Sequence, residues 1–296
     1  MEQQTGPKSE WTCKRLLEWT SEYLKKAGVE QARLCAEILL ADVLKRQRIE
    51  LYTDFNFCPD EGQLGRFREL VRRCGGHEPA AYLTGKAYFY GLCFAVSPAV
   101  LIPRPETELL VAQALDFIAR ETRRPTVEVL DLGTGSGCVA IAIGANAVEA
   151  EVTAADNSRE ALEIAAKNAA AHELQGRIKL VQSDLFEGLE EGGVFDLIVG
   201  NPPYISDEEY GRLDRGVREY EPAGALRGGV DRLDVIRKII AQAGAYLADR
   251  AALMLEAAWN QGEQVIALFE GSGYLKDVSS VKDNLGHQRV IIGRKK

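Results

Sequence analysis

From Val127 onward, short apolar runs alternate with stretches of helical spacing, and that alternation restricts the larger part of the chain to a doubly wound α/β sheet. Strands are expected at 127–132, 151–155, 178–182, 195–200 and 251–257, with helices such as 158–172 and 231–247 between them. Two later runs, 276–281 and 289–293, suit an antiparallel pair that closes the sheet. In a sheet of this kind ligands bind at the carboxyl ends of the strands, so the residues just after each strand are the ones to read for chemistry.

The first part of the chain reads differently. Ser9 suits an N-cap for a helix over 9–27, with Leu16, Leu17, Tyr23 and Leu24 facing inward and Gly28 as its stop. A second helix over 30–46 carries Leu34, Ile38, Leu39 and Val43 at helical spacing. A third starts near Pro59 in its first turn and ends at Gly75-Gly76. These stripes predict the core of a small helical bundle. Between Tyr88 and Val96 the pattern becomes two short strands turning near Gly91. The segment Ile102-Pro103-Arg104-Pro105-Glu106-Thr107-Glu108 then runs extended, because two prolines enforce it, before a helix over 106–120. It reads either as a stiff connector or as a junction whose Arg104 and carboxylates line the mouth of the following pocket. The expected division is therefore 1–85, helical; 86–108, hairpin and proline-rich junction; 109–296, the α/β domain.

Charge limits the partners. Residues 1–100 hold 14 Lys/Arg and 13 Asp/Glu, a net of +1, whereas the remainder holds 22 against 31, a net of −9. An acidic body argues against tight, phosphate-driven binding, so no direct stable nucleic-acid binding is expected. No apolar stretch reaches the length of a bilayer span, and residues 1–10 are polar without a signal-peptide core. The six cysteines include no Cys-x-x-Cys pair and the three histidines are isolated, which argues against a disulfide framework or a metal site and for a reducing cytoplasm. With no coiled-coil pattern, a monomer is expected.

Two motifs carry the chemistry. Asp131-Leu132-Gly133-Thr134-Gly135-Ser136-Gly137 follows the first strand and precedes an Ala/Ile-rich helix, where glycines let the backbone turn tightly and a ligand approach without meeting a Cβ. The spacing is Gly-x-Gly-x-Gly; Cys138 stands where a dinucleotide fingerprint places glycine, so no pyrophosphate is demanded. The second strand ends in Asp156, about twenty residues beyond the loop, where a carboxylate can accept both hydroxyls of a ribose. The third ends in Ser183-Asp184-Leu185-Phe186: Asp184 either accepts from an adenine amino group or caps a helix, and Leu185 can pack on the ring. The fourth delivers Asn201-Pro202-Pro203-Tyr204 to a loop. Two prolines lock that backbone and supply no N–H, leaving carbonyls free to face a ligand. Asn adds an acceptor and two donors, and Tyr a flat aromatic face. The set suits a planar amide or amidine nitrogen, although the tetrapeptide alone is also compatible with an ordinary rigid turn. Together the motifs point to S-adenosylmethionine-dependent methyl transfer to an amide-like nitrogen.

The resemblance then becomes specific. The chain resembles the HemK/PrmC family, methyltransferases that modify the glutamine of the Gly-Gly-Gln motif in class I peptide-chain release factors and so support translation termination. The resemblance spans nearly the whole length and includes Glu78-Pro79-Ala80-Ala81-Tyr82-Leu83-Thr84-Gly85, Phe89-Tyr90-Gly91, Leu101-Ile102-Pro103-Arg104-Pro105-Glu106-Thr107-Glu108, the glycine loop and Asn-Pro-Pro-Tyr. It implies a Rossmann-like, seven-stranded class I methyltransferase sheet with a small N-terminal helical domain that recognises the release factor. It implies that Gly133, Thr134, Gly135, Ser136, Gly137, Asp156 and Leu185 contact S-adenosylmethionine, whose product is S-adenosylhomocysteine. Asp184 joins that set through the adenine reading, and Asn201 because it lies beside the loop. Asn201, Pro202, Pro203 and Tyr204 are implied to bind the glutamine, with Asn201, Pro202 and Tyr204 in the catalytic role. Departures from the family pattern fall at Asn157, at Leu185 in place of an aromatic, in Leu226-Arg227-Gly228-Gly229-Val230-Asp231-Arg232-Leu233, at Trp259 and Asn260, and at His287. The nearest rival reading is an amino-methylase for adenine in nucleic acid, whose exocyclic amino group makes the same demands on Asn-Pro-Pro-Tyr.

Overall fold

The computed structural model describes residues 11–121, 125–190 and 194–296. The chain divides into two compact units, one holding the described residues up to Gly85 together with Arg215–Tyr220, the other holding Lys86–Asp214 and Glu221–Lys296.

The first unit is helical: α1 (Cys13–Lys26), α2 (Ala32–Leu44), α3 (Glu50–Thr53), α4 (Glu61–Gly75) and α5 (Ala80–Thr84). Leu16, Leu17 and Leu24 of α1 are buried with Leu39 and Val43 of α2, as the spacing predicts, and the same cluster holds Leu40 of α2 and Phe67 and Leu70 of α4. Leu34 and Ile38 are half-buried. Tyr23 departs from the expectation: it stays exposed and stacks on Trp19 at 5.3 Å between ring centroids, because one turn apart on a helix the two rings meet on the solvent side. The proposed Ser9 cap lies outside the described residues; among them Thr12 caps α1, its hydroxyl accepting from Arg15 N. Pro59 is likewise not in the first turn of α4. Asp60 caps that helix in a reciprocal pair with Gln63, which leaves the proline just ahead of the cap.

The second unit opens with the expected hairpin, β1 (Lys86–Phe89) and β2 (Leu92–Ala95), turning through Tyr90 and Gly91, both at positive φ. A single 3-10 turn over Pro105–Thr107 leads into α6 (Glu108–Glu121). Then follow β3 (Val127–Leu132), α7 (Cys138–Asn146), β4 (Ala150–Asp156), α8 (Arg159–Ala171), β5 (Ile178–Gln182), β6 (Phe195–Gly200), α9 (Asp207–Tyr210), α10 (Arg215–Tyr220), α11 (Asp234–Tyr246), β7 (Leu247–Glu256), α12 (Gly262–Gly271), β8 (Leu275–Lys282) and β9 (Gln288–Lys295). Of these, α10 clusters with the first unit.

The seven strands form one sheet in the order β5-β4-β3-β6-β7-β9-β8, parallel except for β9, which runs antiparallel to both β7 and β8. Successive residues of β3 face opposite sides. Val127 and Val129 pack with Leu110 and Phe117 of α6 and Val139 and Ile143 of α7, while Leu130 and Leu132 pack with Ile236 and Ile239 of α11 and Val265 and Phe269 of α12. Each such buried aliphatic side chain contributes roughly 1.5–3 kcal/mol. The strand order reverses between β3 and β6, and that switch point fixes where a ligand cleft can open. Among the described residues no helix is long and apolar enough to cross a membrane.

Candidate active site

A cavity of ≈ 290 Å³ opens at the carboxyl ends of β3, β4, β5 and β6, all within the second unit. The glycine loop forms one wall. Gly133 N and Thr134 N donate to Ala155 O at 2.8 and 3.0 Å, which ties the loop to the neighbouring strand end. Asp131, buried under the loop, accepts from Thr134 Oγ1 at 2.7 Å and from Ala140 N at 3.2 Å through the same oxygen. Burial pushes its carboxyl up to about 6, against those two donors. Asn168 of α8 braces the loop from behind: its amide nitrogen donates to Ser136 O and Ala95 O while its oxygen accepts from Ala95 N.

The three glycines of the loop are not equivalent. All have positive φ, but a methyl group added to Gly133 or Gly135 would meet nothing within 4 Å. One added to Gly137 would stand 3.0 Å from Ile141 Cδ1 and 3.2 Å from Ala165 Cβ. Gly133, Thr134, Gly135 and Ser136 line the cavity, whereas Gly137 serves the close packing of α7 on α8 and lies off the cavity wall.

Asp156 ends β4 beside the glycine loop and lines the cavity. One carboxyl oxygen accepts from Gly135 N at 2.8 Å and the other from Ser158 N at 2.9 Å. Each oxygen keeps a lone pair for a further donor, which is what a vicinal diol needs. Burial raises its pKa, and the two backbone donors pull it back. Asp184 and Leu185 also line the cavity. Leu185 takes a positive φ of 52°, and the Ser183 hydroxyl donates to its carbonyl at 2.7 Å. No helix follows β5 among the described residues, so the capping role considered for Asp184 has nothing to cap.

Asn201, Pro202 and Pro203 also line the cavity, with β6 delivering Asn201 beside the start of the glycine loop. The amide nitrogen of Asn201 donates to Thr107 Oγ1 at 3.1 Å, so the donor half of the side chain is engaged and its oxygen is left as an acceptor. Tyr204 is half-buried beside the cavity and does not line it. Its phenol is held above the ordinary range chiefly by burial and next by the charge of Glu256. The junction contributes Arg104 to the lining, where its guanidinium donates to Glu221 at 2.6 Å; Glu221 also accepts from Ile102 N at 3.2 Å. The other junction carboxylates lie elsewhere: neither Glu106 nor Glu108 lines the cavity, and Glu108 accepts from Tyr90 N at 2.7 Å.

Several residues here escaped the sequence reading. Thr107 was visible only as part of the junction. Glu221 carries no local signal, since its partners lie more than a hundred residues away. Glu256 follows the apolar run Ala251–Leu255 of β7, a carboxylate where the pattern calls for none, and that anomaly was readable. Gln261 is fully buried, with its oxygen accepting from Ala258 N and its nitrogen directed at the carbonyls of Tyr204 and Arg232.

The residues present suit a nucleoside cofactor without pyrophosphate. The open space over Gly133 and Gly135 is a cradle that a Cβ would fill. Asp156 supplies the acceptors for a ribose. A sheet of this order with this loop at its switch point defines the Rossmann-like class I methyltransferase fold. The catalytic domain of hMettl16, solved in complex with a MAT2A 3′UTR hairpin, has a TM-score of 0.54 over 69% of this chain and 76% of that one at 18% identity, a likeness of fold alone.

Residues 15–85 match the family model of the PrmC N-terminal domain, and residues 107–213 that of the methyltransferase small domain. The release factor glutamine methyltransferase of Rhodopirellula baltica is 45% identical over 289 residues, covering 97% of this chain and 98% of its own. That of Geobacter sulfurreducens is 41% identical over 285 residues, covering 96% and 97%. The chain belongs to the release factor glutamine methyltransferase family.

Proposed function

We propose that this chain transfers a methyl group from S-adenosylmethionine to the side-chain amide nitrogen of the glutamine in the Gly-Gly-Gln motif of class I peptide-chain release factors, acting as a cytoplasmic monomer. The carrying observation is the orientation of Asn201: its nitrogen is committed to Thr107, so its oxygen serves as the acceptor that an amide N–H requires. In this reading the cofactor sits over Gly133, Thr134, Gly135 and Ser136, with Asp156 on the ribose and Asp184 and Leu185 on the adenine. Gly137 sets the shape of the loop. The cofactor, when bound, supplies a methyl group on a sulfonium.

The chain's own residues then solve the harder half of the problem. An amide nitrogen is a poor nucleophile because its lone pair is delocalised into the carbonyl. Asn201 Oδ1 and the Pro202 carbonyl accept the two amide hydrogens, Pro203 holds that backbone rigid, and Tyr204 is assigned the flat face of the amide. Fixing the nitrogen in a near-attack orientation contributes on the order of 7–11 kcal/mol. Both acceptors strengthen their bonds as the nitrogen gains positive charge, which adds electrostatic stabilisation. The helical unit, residues 1–85, is assigned recognition of the release factor, residues 86–108 the junction, and residues 109–296 the chemistry.

The test combines the purified protein, methyl-labelled S-adenosylmethionine and a bacterial-type class I release factor, with mass spectrometry to locate the label. One methyl on the Gly-Gly-Gln glutamine is expected. Asn201→Ala should abolish that transfer while leaving cofactor affinity largely intact, and Asp156→Ala should weaken the affinity. Label on adenine in a parallel nucleic-acid control, with none on the glutamine, would overturn the assignment.

A further inference from the structure

Glu256 is a buried carboxyl beside this site that the chemistry above leaves unused. It stands at the end of β7, fully buried, and neither carboxyl oxygen closes a hydrogen bond of ordinary geometry with any described residue. Such a group is costly to keep unless it has work to do. The β6–β7 register pairs Gly200 with Leu255, so the next residues along, Asn201 and Glu256, leave adjacent strand ends together. The hydroxyls of Thr107 and Tyr204 act on the carboxyl and favour its charged form, so the junction and the Asn-Pro-Pro-Tyr loop meet at this group.

The hydrogen-bond inventory gives the direction of the relay. Thr107 Oγ1 accepts from the Asn201 amide nitrogen. A hydroxyl has one hydrogen to donate, and it must go to an acceptor other than that amide. We propose that Glu256 is a positioning residue for the methyl-accepting site: it takes the Thr107 hydroxyl hydrogen, which commits the Thr107 lone pair to Asn201 Nδ2 and holds Asn201 Oδ1 toward the substrate amide. The role rests on the functional reading above. Without that acceptor the Thr107 hydroxyl is free to rotate and donate to Asn201 instead, and the side-chain amide then turns its nitrogen to the substrate. Bonds of this sort are often loose in the free enzyme and tighten in the reacting complex.

Charged and titratable groups from three elements face Glu256. Glu106, ahead of α6, disfavours ionisation, and Arg289 on β9 favours it together with the Thr107 and Tyr204 hydroxyls. Cys138 at the start of α7 feels the carboxyl's charge in turn. Burial outweighs these and pushes the carboxyl up to about 7. The ionised form is the stronger acceptor, so turnover should rise as pH passes through that region.

The experiment compares wild type, Glu256→Gln, Glu256→Ala and Thr107→Val by steady-state kinetics from pH 6 to 9, S-adenosylmethionine affinity by calorimetry, and the Asn201 side-chain amide signal by NMR. Glu256→Gln retains a neutral acceptor, so kcat should stay within a few fold of wild type while its pH inflection near neutrality disappears. Glu256→Ala and Thr107→Val should each lower kcat on the order of 100-fold, the cost of a misaimed group, with cofactor affinity unchanged. The Asn201 amide signal should shift with pH in wild type and not in Glu256→Gln. A wild-type kcat in Glu256→Ala, or a cofactor affinity that falls in step with kcat, would overturn the role. The amide signal needs no substrate: if it titrates as expected while no methyl reaches the release factor, the substrate assignment has failed and the relay stands. An Asn201 signal insensitive to pH and to Glu256→Gln would sink the relay whatever the substrate.

Discussion

Adding one methyl group at two positions of the glycine loop should separate stability from affinity. Gly135 and Gly137 both have positive φ, 55° and 80°. An alanine there costs about 1–2 kcal/mol of left-handed strain, of which about 0.4–1 kcal/mol is returned because alanine has less freedom to lose from the unfolded chain. At Gly135 nothing else is met within 4 Å, so Gly135→Ala should lower stability by only about 1 kcal/mol. At Gly137 the methyl comes to 3.0 Å from Ile141 Cδ1 and 3.2 Å from Ala165 Cβ. Overpacking of that kind adds about 1–3 kcal/mol, for a total of about 2–4 kcal/mol. Affinity should follow the opposite ranking. The Gly135 methyl projects into the space assigned to the cofactor and should weaken S-adenosylmethionine binding tenfold or more, about 1.4 kcal/mol. Gly137→Ala, once folded, should bind with a smaller loss. Urea unfolding followed by Trp and Tyr fluorescence gives the first quantity and calorimetric titration the second. If Gly135→Ala bound the cofactor as wild type does, the loop would not be its closest point of approach. If Gly137→Ala were as stable as wild type, the packing argument would be wrong.

Two further outcomes follow from buried carboxylates. Glu221→Ala removes the partner of both Arg104 and the Ile102 amide and should cost about 1–3 kcal/mol, at the low end because Arg104 is partly solvated; unfolding that matches wild type would show the junction is held by its prolines alone. Asp131 is raised from 3.8 to about 6 by burial, so the stability it contributes is fully present below about pH 4 and is lost as pH rises through about 6, in total about 3 kcal/mol. The difference in unfolding free energy between wild type and Asp131→Asn should therefore carry a step across pH 4 to 7, and a flat difference would refute the assignment.

What the sequence disclosed depends on how local each feature is. The strand Phe195–Gly200 begins and ends where the apolar run does, because a strand buried on both faces leaves its mark residue by residue. The antiparallel closure by β8 and β9 was legible from two short strand-like runs close together at the end of the sequence. Tyr23 was misplaced because helical spacing assigns a residue to a face only within the width of a side chain, and its ring turns outward to Trp19. Spacing also groups Gly137 with Gly133 and Gly135, although its neighbours are Ile141 and Ala165. The orientation of Asn201 depends on Thr107, 94 residues earlier, and Arg104 depends on Glu221, 117 residues later. No periodicity or spacing rule reaches across such separations.

The six residues of α10 give the chain an unusual itinerary. After Asn-Pro-Pro-Tyr it leaves the catalytic unit, supplies Arg215–Tyr220 to the helical unit, where Tyr220 donates to Gly76 O at 3.5 Å, and returns at Glu221. The first unit is therefore discontinuous in sequence. A fragment begun at Lys86 would retain α10 but lose the residues it clusters with, leaving a loose segment one residue before the glutamate that holds Arg104. Recombination that exchanged helical units between relatives by a single crossover near residue 85 would mismatch this segment. A working chimera needs residues 215–220 to travel with the helices they belong to.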